Sequence, residues 1–527
     1  MKKARKLLAL VLSLAVALTM GVAMTGAVFA ANTAVPTPDG GFTVTITNAQ
    51  GDAGTHTYEA YQIFSGTLAK DDNNKLILSD IQWGTGITSA GQTALGNAAA
   101  YAKTLTDANA EAKAEQLAGY LSSTTSGTYA NGAITGLQPG YYLIQDASTS
   151  PTGNKPYAKT KFILQVVGDQ TVQAKTGVPT VDKEIAEATP TKVSDYDIGD
   201  EIPYTITGTL PVNFDKFNTY KTFTFTDTLC DGLTPPAKAD VAVKIGSDDI
   251  TSLFDVDVTG QVITVSLKSN VDLRTATHGT GNTAFAAGDE IVVSYNAVLN
   301  DSAVIGGTGN SNTAKLTFSN DPNFNGNGTE PTGDTPESQT VVFTYTIKAL
   351  KVEPTSDAAI TAEEYAGLTD EQKADYVKIN DNEYQKVKAL EGAGFTLYKD
   401  SKADANKVDE INTGSTFEFT GVDAGTYILS ETTVPDGYNA IADITIVVTA
   451  TYDTTKTPPE IKTLTCTPEN FTANITSGEV TGKILNESGA ELPSTGGIGT
   501  TIFYILGALL IIVCGVVLIA RRRMTAK

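Results

Sequence analysis

From Gly41 to about Thr481 apolar and polar side chains alternate, as in "GFTVTIT", "EIPYTITGTL" and "DITIVVTATY". Successive side chains of a strand face opposite ways, so each stretch reads as a strand with one face in a core. Thr, Val, Tyr and Phe dominate, and Gly, Asn and Asp cut the runs into short pieces. That texture predicts an all-β protein of tandem immunoglobulin-like β-sandwich domains. Two segments have a helical texture, the Ala-rich one from about Thr93 to Leu121 and "TAEEYAGLTDEQKADYV" from Thr361 to Val377; both read as surface excursions on sandwiches. "AKTGVPTVDKEI" around Gly177 to Thr180, and the Asn-, Gly- and Pro-rich stretch from Ser319 to Ser338, mark boundaries. Three ectodomains are predicted, at 32–177, 178–335 and 336–488, with no fixed-period repeat.

The two ends change this picture from soluble to exported. Lys2, Lys3, Arg5 and Lys6 precede an apolar run that closes on "AVFA", the pattern of a secretory signal peptide over residues 1–30, cleaved after Ala30. Near the other end, residues 501–520 carry no charge and are long enough to cross a hydrocarbon core. The basic tail 521–527, opening with Arg521, Arg522 and Arg523, favours the cytoplasmic side, so the body of the chain lies outside the cell.

Composition then removes several function classes. The chain of 527 residues has 37 basic and 59 acidic side chains and a formal net charge of −22, which repels phosphate backbones and excludes nucleic acid as a partner. Its three cysteines, Cys230, Cys466 and Cys514, form no disulfide framework. Its two histidines, His56 and His278, sit in polar turn-like contexts and read as solvated, which argues against a hydrolytic triad, a surface hydrolase or a His-based metal site. No metal and no cofactor are expected.

One strand carries a charge in register with a core. In "YILSETTVPDGY", Tyr427, Leu429 and Glu431 share a face, so Glu431 is expected to be neutral or paired, because a free buried carboxylate is expensive. This segment resembles the E-box of the B-type collagen-adhesin-like pilin domain, and "LEGAGFTLYKD", Leu390 to Asp400, resembles another strand of that domain. With "LPSTG", the apolar run and the Arg tail, the whole chain resembles a Gram-positive, sortase-assembled backbone pilin of the isopeptide-forming fimbrial family.

In that family a Lys of the first strand condenses with an Asn of the last, assisted by an acid. Burial lowers the pKa of the amine and raises that of the acid, so a neutral nucleophile meets a polarised carboxamide and ammonia leaves. The resemblance assigns Glu431 and Asp227 as the assisting acids. In "VFTYTIKALKVE" parity puts Lys351 on the face of Phe343, Tyr345, Ile347 and Ala349 and turns Lys348 away, which selects Lys351 as the C-terminal nucleophile; the resemblance implies Asn486, in phase with Val480 and Ile484, as its acceptor. In the middle domain, which resembles the A-type collagen-adhesin-like form of the family, Lys183 is in phase with Val181 and Ile185, and Asp227 with Phe223 and Phe225. Asn312 and Asn320 share one face, so parity leaves both open as acceptors; the family-like strand start favours Asn312. The first domain's opening strand has no Lys, and no internal bond is expected there.

The sorting signal spans 492–527, and its motif is Leu492, Pro493, Ser494, Thr495 and Gly496. By resemblance, a sortase cysteine attacks the Thr495 carbonyl, releases Gly496 with the membrane segment and holds the chain as a thioester until an amine arrives. The inter-subunit lysine is expected at Lys175, closing "VVGDQTVQAK", a degenerate form of the family's WxxxVxVYPK motif. The implied partners are other copies of this chain, a pilus-specific class C sortase, a housekeeping sortase and peptidoglycan, with accessory pilins and host surface ligands beyond them. The implied location is the cell wall and surface. The implied role is a pilus shaft subunit and not an enzyme in the turnover sense; the alternative is a wall-anchored adhesin that is never polymerised.

Overall fold

The computed structural model describes residues 33–48, 52, 55–71, 73–106, 109–148, 159–174, 177–322, 324, 326, 328–486, 506 and 508–516. Among the described residues the alternating stretches form strands that assemble into three pairs of sheets and one separate two-stranded ribbon, Thr277–His278 with Thr283–Ala284. In the N-terminal pair, Tyr58–Lys70 lies between Thr33–Ala34 and Gly140–Asp146, with Lys161–Val166 beyond, while Phe42–Thr47 sits in a four-stranded sheet. The two sheets enclose Val44, Tyr58, Leu137, Tyr142 and Ile144.

The Ala-rich segment is three short helices, Ser89–Leu95, Ala98–Ala102 and Ala110–Ala118. Gly96, at φ 81°, ends the first, and the Asn97 side chain accepts from the Ala100 N–H to start the second. This is not the surface excursion expected. Ala114 and Leu117 are fully buried with Ile63, Phe64 and Leu143 in a second core, because the sheet is apolar on both faces. The other segment, Ala362–Ala366 and Asp370–Lys373, buries nothing and remains on the surface.

In the middle pair, Thr180–Ile185 and Glu290–Leu299 flank Glu201–Thr209 in one sheet, and Phe223–Leu229 and Ser338–Phe343 flank Asn310–Ser319 in the other. In the C-terminal pair, Tyr345–Pro354 pairs in parallel with Glu479–Leu485, and Thr426–Thr433 lies in the facing five-stranded sheet beside Ala393–Lys399. The boundary expected at residue 335 therefore moves. Ser338–Phe343 pairs with Asn310–Ser319 and belongs to the middle sandwich, and the next strand begins at Tyr345. Val342 enters the middle core while Val341 and Phe343 enter the C-terminal one, so a single strand seals both. The loop after Val193–Asp195 completes the joint. Lys399 Nζ bonds Asp197 at 2.7 Å and Asp423 at 2.8 Å, and the Ile198 N–H donates to Gly421 O at 2.8 Å.

The histidines are not solvated. His56 is 5% exposed, with Nδ1 at 2.7 Å from Asp146 Oδ2 and Nε2 at 3.0 Å from Asp52 Oδ1. His278 Nδ1 lies 2.7 Å from Asp248 Oδ2 and is half-buried. Asp146 stands across from Tyr58 in the strand register, which brings it over His56 from 90 residues away. Burial alone would lower the His56 pKa, but hydrogen bonds to Asp146 and Asp52 outweigh it and raise the value from 6.5 to about 9.

A raised pKa means that the folded state binds the proton more tightly, so the contribution is complete below the unfolded value of 6.5 and is lost as pH rises through about 9. The N-terminal domain should lose about 3 kcal/mol of stability across that window. Thermal melts of wild type and His56→Gln check this: the wild-type melting temperature should fall with rising pH, and the variant's should start lower and stay flat.

Candidate functional site

Among the described residues two lysines are fully buried, and each comes from the first long strand of its sandwich. Lys183 follows the inward phase of Thr180–Ile185 and is 0% exposed. Lys351 is likewise 0% exposed, while Lys348 faces out and pairs with Glu418 at 3.1 Å. Such ammonium groups have no water to solvate them and must be met by carboxylates, hydrogen bonds or aromatic faces.

In the middle sandwich the carboxylate is Asp227, which alternates inward with Phe223 and Phe225 on the facing sheet. Lys183 Nζ lies 2.8 Å from Asp227 Oδ2 and donates to the Tyr295 hydroxyl at 2.9 Å. The Tyr204 ring stands 4.6 Å from the same nitrogen, a cation–π distance. Burial lowers the Lys183 pKa to about 8, with Asp227 pulling the other way.

Asn312 is on the neighbouring strand, one register step from Asp227: Asp227 pairs with Ala314 and Leu229 with Asn312. Its Nδ2 donates to the Tyr295 hydroxyl at 2.7 Å, so amine and carboxamide meet on one oxygen. Asn320, the other candidate, is also buried, but its Nδ2 is taken by Thr332 O at 2.9 Å. Tyr295 was missed in the sequence. It is in phase with Ile291, Val293 and Ala297, which would have placed it inside, and its hydroxyl then needed a partner.

In the C-terminal sandwich Lys351 Nζ lies 2.9 Å from Glu431 Oε1, with both side chains at 0% exposure. The contact is at ion-pair distance without hydrogen-bond geometry, and both atoms lack any hydrogen-bond partner. Glu431 Oε2 accepts from the Ile441 N–H at 2.9 Å. Burial lowers the Lys351 pKa against the opposing pull of Glu431. Asn486 follows directly on Glu479–Leu485, the strand parallel to that of Lys351, and its N–H donates to Val352 O at 2.9 Å. Asn486 Nδ2 is buried and has no partner.

Buried polar atoms are nearly always satisfied in folded proteins. Among the described residues nine buried side-chain polar atoms have no hydrogen-bond partner, and five belong to these two clusters: Asp227 Oδ1, Asn312 Oδ1, Lys351 Nζ, Glu431 Oε1 and Asn486 Nδ2. Such groups are costly unless chemistry uses them. Lys175 and the motif Leu492, Pro493, Ser494, Thr495 and Gly496 lie outside the described residues, as does half of the expected 501–520 span. Residues 508–516 are helical; among the described residues no helix is long and apolar enough to cross a membrane.

Three family models match parts of the chain. Residues 198–322 match the Gram-positive pilin backbone subunit 2, Cna-B-like domain. Residues 375–460 match the SpaA prealbumin-like fold domain, and residues 485–525 match the LPXTG cell wall anchor motif. No curated protein sequence matches the chain. Similar solved structures include the T6 backbone pilin of serotype M6 Streptococcus pyogenes, at 18% identity over 85% of this chain and 99% of that one, with a TM-score of 0.49. The full-length major pilin SpaD from Corynebacterium diphtheriae is similar at 18% identity over 85% of this chain and 98% of that one, with a TM-score of 0.45.

Removing Asp227 strands the Lys183 amine in the core. Asp227→Ala should leave the middle sandwich about 3–5 kcal/mol less stable than the apolar pair Lys183→Met with Asp227→Leu, as read by denaturant unfolding of the two variants. The reverse order would mean that solvent reaches the site.

Proposed function

We propose that this protein is the structural shaft subunit of a covalently polymerised surface pilus, anchored to the cell wall and supporting adhesion. The observation that carries the proposal is the presence in one chain of a pilin-backbone domain at residues 198–322 and a cell wall anchor motif at residues 485–525. The chain is divided into an N-terminal domain at 32–177, a middle domain from 178 that runs on through the Ser338–Phe343 strand, and a C-terminal domain from Tyr345 to 488. The sorting signal holds the exported chain at the membrane until a sortase cleaves between Thr495 and Gly496. Thr495 then passes to Lys175 of the next copy, or to peptidoglycan when growth ends.

Two internal amide bonds, Lys183 to Asn312 and Lys351 to Asn486, cross-link the subunit. The partnerless polar atoms at both clusters support this, since condensation turns them into reactants and removes the buried ammonium. The amine first gives a proton to the carboxylate beside it, Asp227 or Glu431. The neutral nitrogen attacks the Asn Cγ, the new Nζ–Cγ bond replaces Cγ–Nδ2, and Nδ2 departs as ammonia with a proton from Nζ. Each site acts once, so the chain is a structural protein and not an enzyme.

Intact mass is the direct check on the bonds. The chain purified from a host without sortase should weigh two ammonias less than its sequence, and Glu431→Ala or Asp227→Ala should each restore one. A full theoretical mass would refute both bonds.

Polymerisation is checked separately. With sortase present, denaturing gels should show a ladder of covalent multimers that disappears with Lys175→Ala and persists with Lys159→Ala. A ladder unchanged by Lys175→Ala would move the junction to another lysine, and the absence of any ladder from wild type would favour the unpolymerised adhesin.

A further inference from the structure

The two clusters differ at the nitrogen that must leave. In the C-terminal cluster Asn486 Nδ2 has no partner, and the aromatic group near Lys351 is Phe395, its ring 5.4 Å from Nζ, with no hydroxyl to offer. In the middle cluster one hydroxyl touches every reacting group. Tyr295 accepts from Lys183 Nζ at 2.9 Å and from Asn312 Nδ2 at 2.7 Å, and it donates to Asp227 Oδ2. Its single proton and two lone pairs are all in use, and all are in use within the reaction.

We propose that Tyr295 is a catalytic residue of the Lys183–Asn312 condensation, a proton relay from the attacking nitrogen to the leaving one. This rests on the condensation set out above.

The need for a relay follows from the chemistry. An amide nitrogen is a very poor leaving group as an anion and must gain a proton as the Cγ–Nδ2 bond breaks. The attacking Nζ must lose one at the same stage. The middle cluster lies between two sheets, with Lys183 and Asn312 at 0% exposure and Asp227 at 1%, so solvent is a poor carrier. Asp227 is hydrogen-bonded to Nζ and to Tyr295, and no hydrogen bond joins it directly to Asn312. Tyr295 is the group in contact with both nitrogens.

The balance is as follows. Lys183 Nζ, as ammonium, gives one proton to Asp227, which becomes the neutral acid. Nζ attacks Cγ, and the amide nitrogen of Asn312 becomes an amine with a free lone pair, so its bond with Tyr295 reverses. The hydroxyl turns from Asp227 to Nδ2, gives up its proton and takes one from Nζ through the contact already present. Cγ–Nδ2 breaks, ammonia leaves, and Tyr295 ends as it began. Asp227 can then protonate the departing ammonia, regenerating the carboxylate.

The Tyr295 surroundings suit a relay that must not ionise in advance. Burial, with the charge of Asp227 adding to it, holds its pKa well above the ordinary value, so the phenol keeps its proton until Nδ2 calls for it. Tyr204, directly across from Tyr295 in the strand register, walls the amine with its ring, and its own hydroxyl has no hydrogen-bond partner.

The test uses the full chain in a host without sortase, sampled at intervals after synthesis, denatured, digested and mapped for the two cross-linked peptide pairs. In Tyr295→Phe the Lys351–Asn486 pair should form as in wild type, while the Lys183–Asn312 pair should form about 10²-fold more slowly or not at all. Protease resistance of the middle sandwich, compared with Lys183→Ala, reports whether the variant is folded. Where it is not, the solvent isotope effect in wild type decides: heavy water should slow the Lys183–Asn312 bond more than the Lys351–Asn486 bond. A Tyr295→Phe chain that cross-links at the wild-type rate, or equal isotope effects at the two sites, would overturn the relay and leave the condensation standing. Absence of both cross-links from wild type would instead sink the condensation itself.

Discussion

The organising constraint is the burial of an amine. Lys183 and Lys351 place a nitrogen that prefers water where water is absent, and a charge so placed is tolerated only with a partner close by. Each sandwich answers by bringing a carboxylate across from the facing sheet, Asp227 in one and Glu431 in the other, and by seating an asparagine near the strand that completes the core. The apolar side chains around them, among them Phe225, Tyr204, Phe395 and Leu429, remove solvent and thereby lower the amine's proton affinity. The core that stabilises each of these two domains is also what lowers the proton affinity of its buried lysine.

The two sandwiches apply this constraint with different topology. In the C-terminal one, Asn486 directly follows the strand that runs parallel to that of Lys351, and the acid comes from the opposite sheet. In the middle one, Lys183 stands on one sheet while Asp227 and Asn312 stand on the other. A bond between Lys351 and Asn486 would join strands that already share a ladder, whereas one between Lys183 and Asn312 would tie two sheets held by packing. Among its described residues the N-terminal sandwich has no such lysine cluster; it buries His56 between two carboxylates, a clasp that a change of pH can open.

Strand periodicity made most of this legible in the sequence. Parity alone separated Lys351 from Lys348 and placed Glu431 with Tyr427 and Leu429, because a two-residue repeat leaves a side chain only two directions. It could not separate Asn312 from Asn320, eight residues apart and on one face; what distinguishes them is the company of Tyr295 against that of Thr332. Tyr295 went unread because a tyrosine in phase with Ile and Val passes for core. His56 was misread because one partner, Asp146, arrives through strand pairing 90 residues away, which no local pattern encodes. The domain boundary slipped for a similar reason: the Pro- and Gly-rich stretch looked like a linker, yet the strand after it returns to the middle sheet.

The parallel pairing of Tyr345–Pro354 with Glu479–Leu485 decides how the C-terminal domain carries tension. In the proposed fibre, tension would act on the domain where the chain enters, at Thr344, and where it leaves, past Asn486. Two adjacent parallel strands drawn in opposite directions are loaded in shear, so their hydrogen bonds resist together and do not open one at a time. Were Lys351 joined to Asn486 as proposed, the load would run along the strand from Tyr345 to Lys351 and cross there to the exit. Residues 352–485 would then lie off the load path, so the surface helices Ala362–Ala366 and Asp370–Lys373 could vary without weakening it.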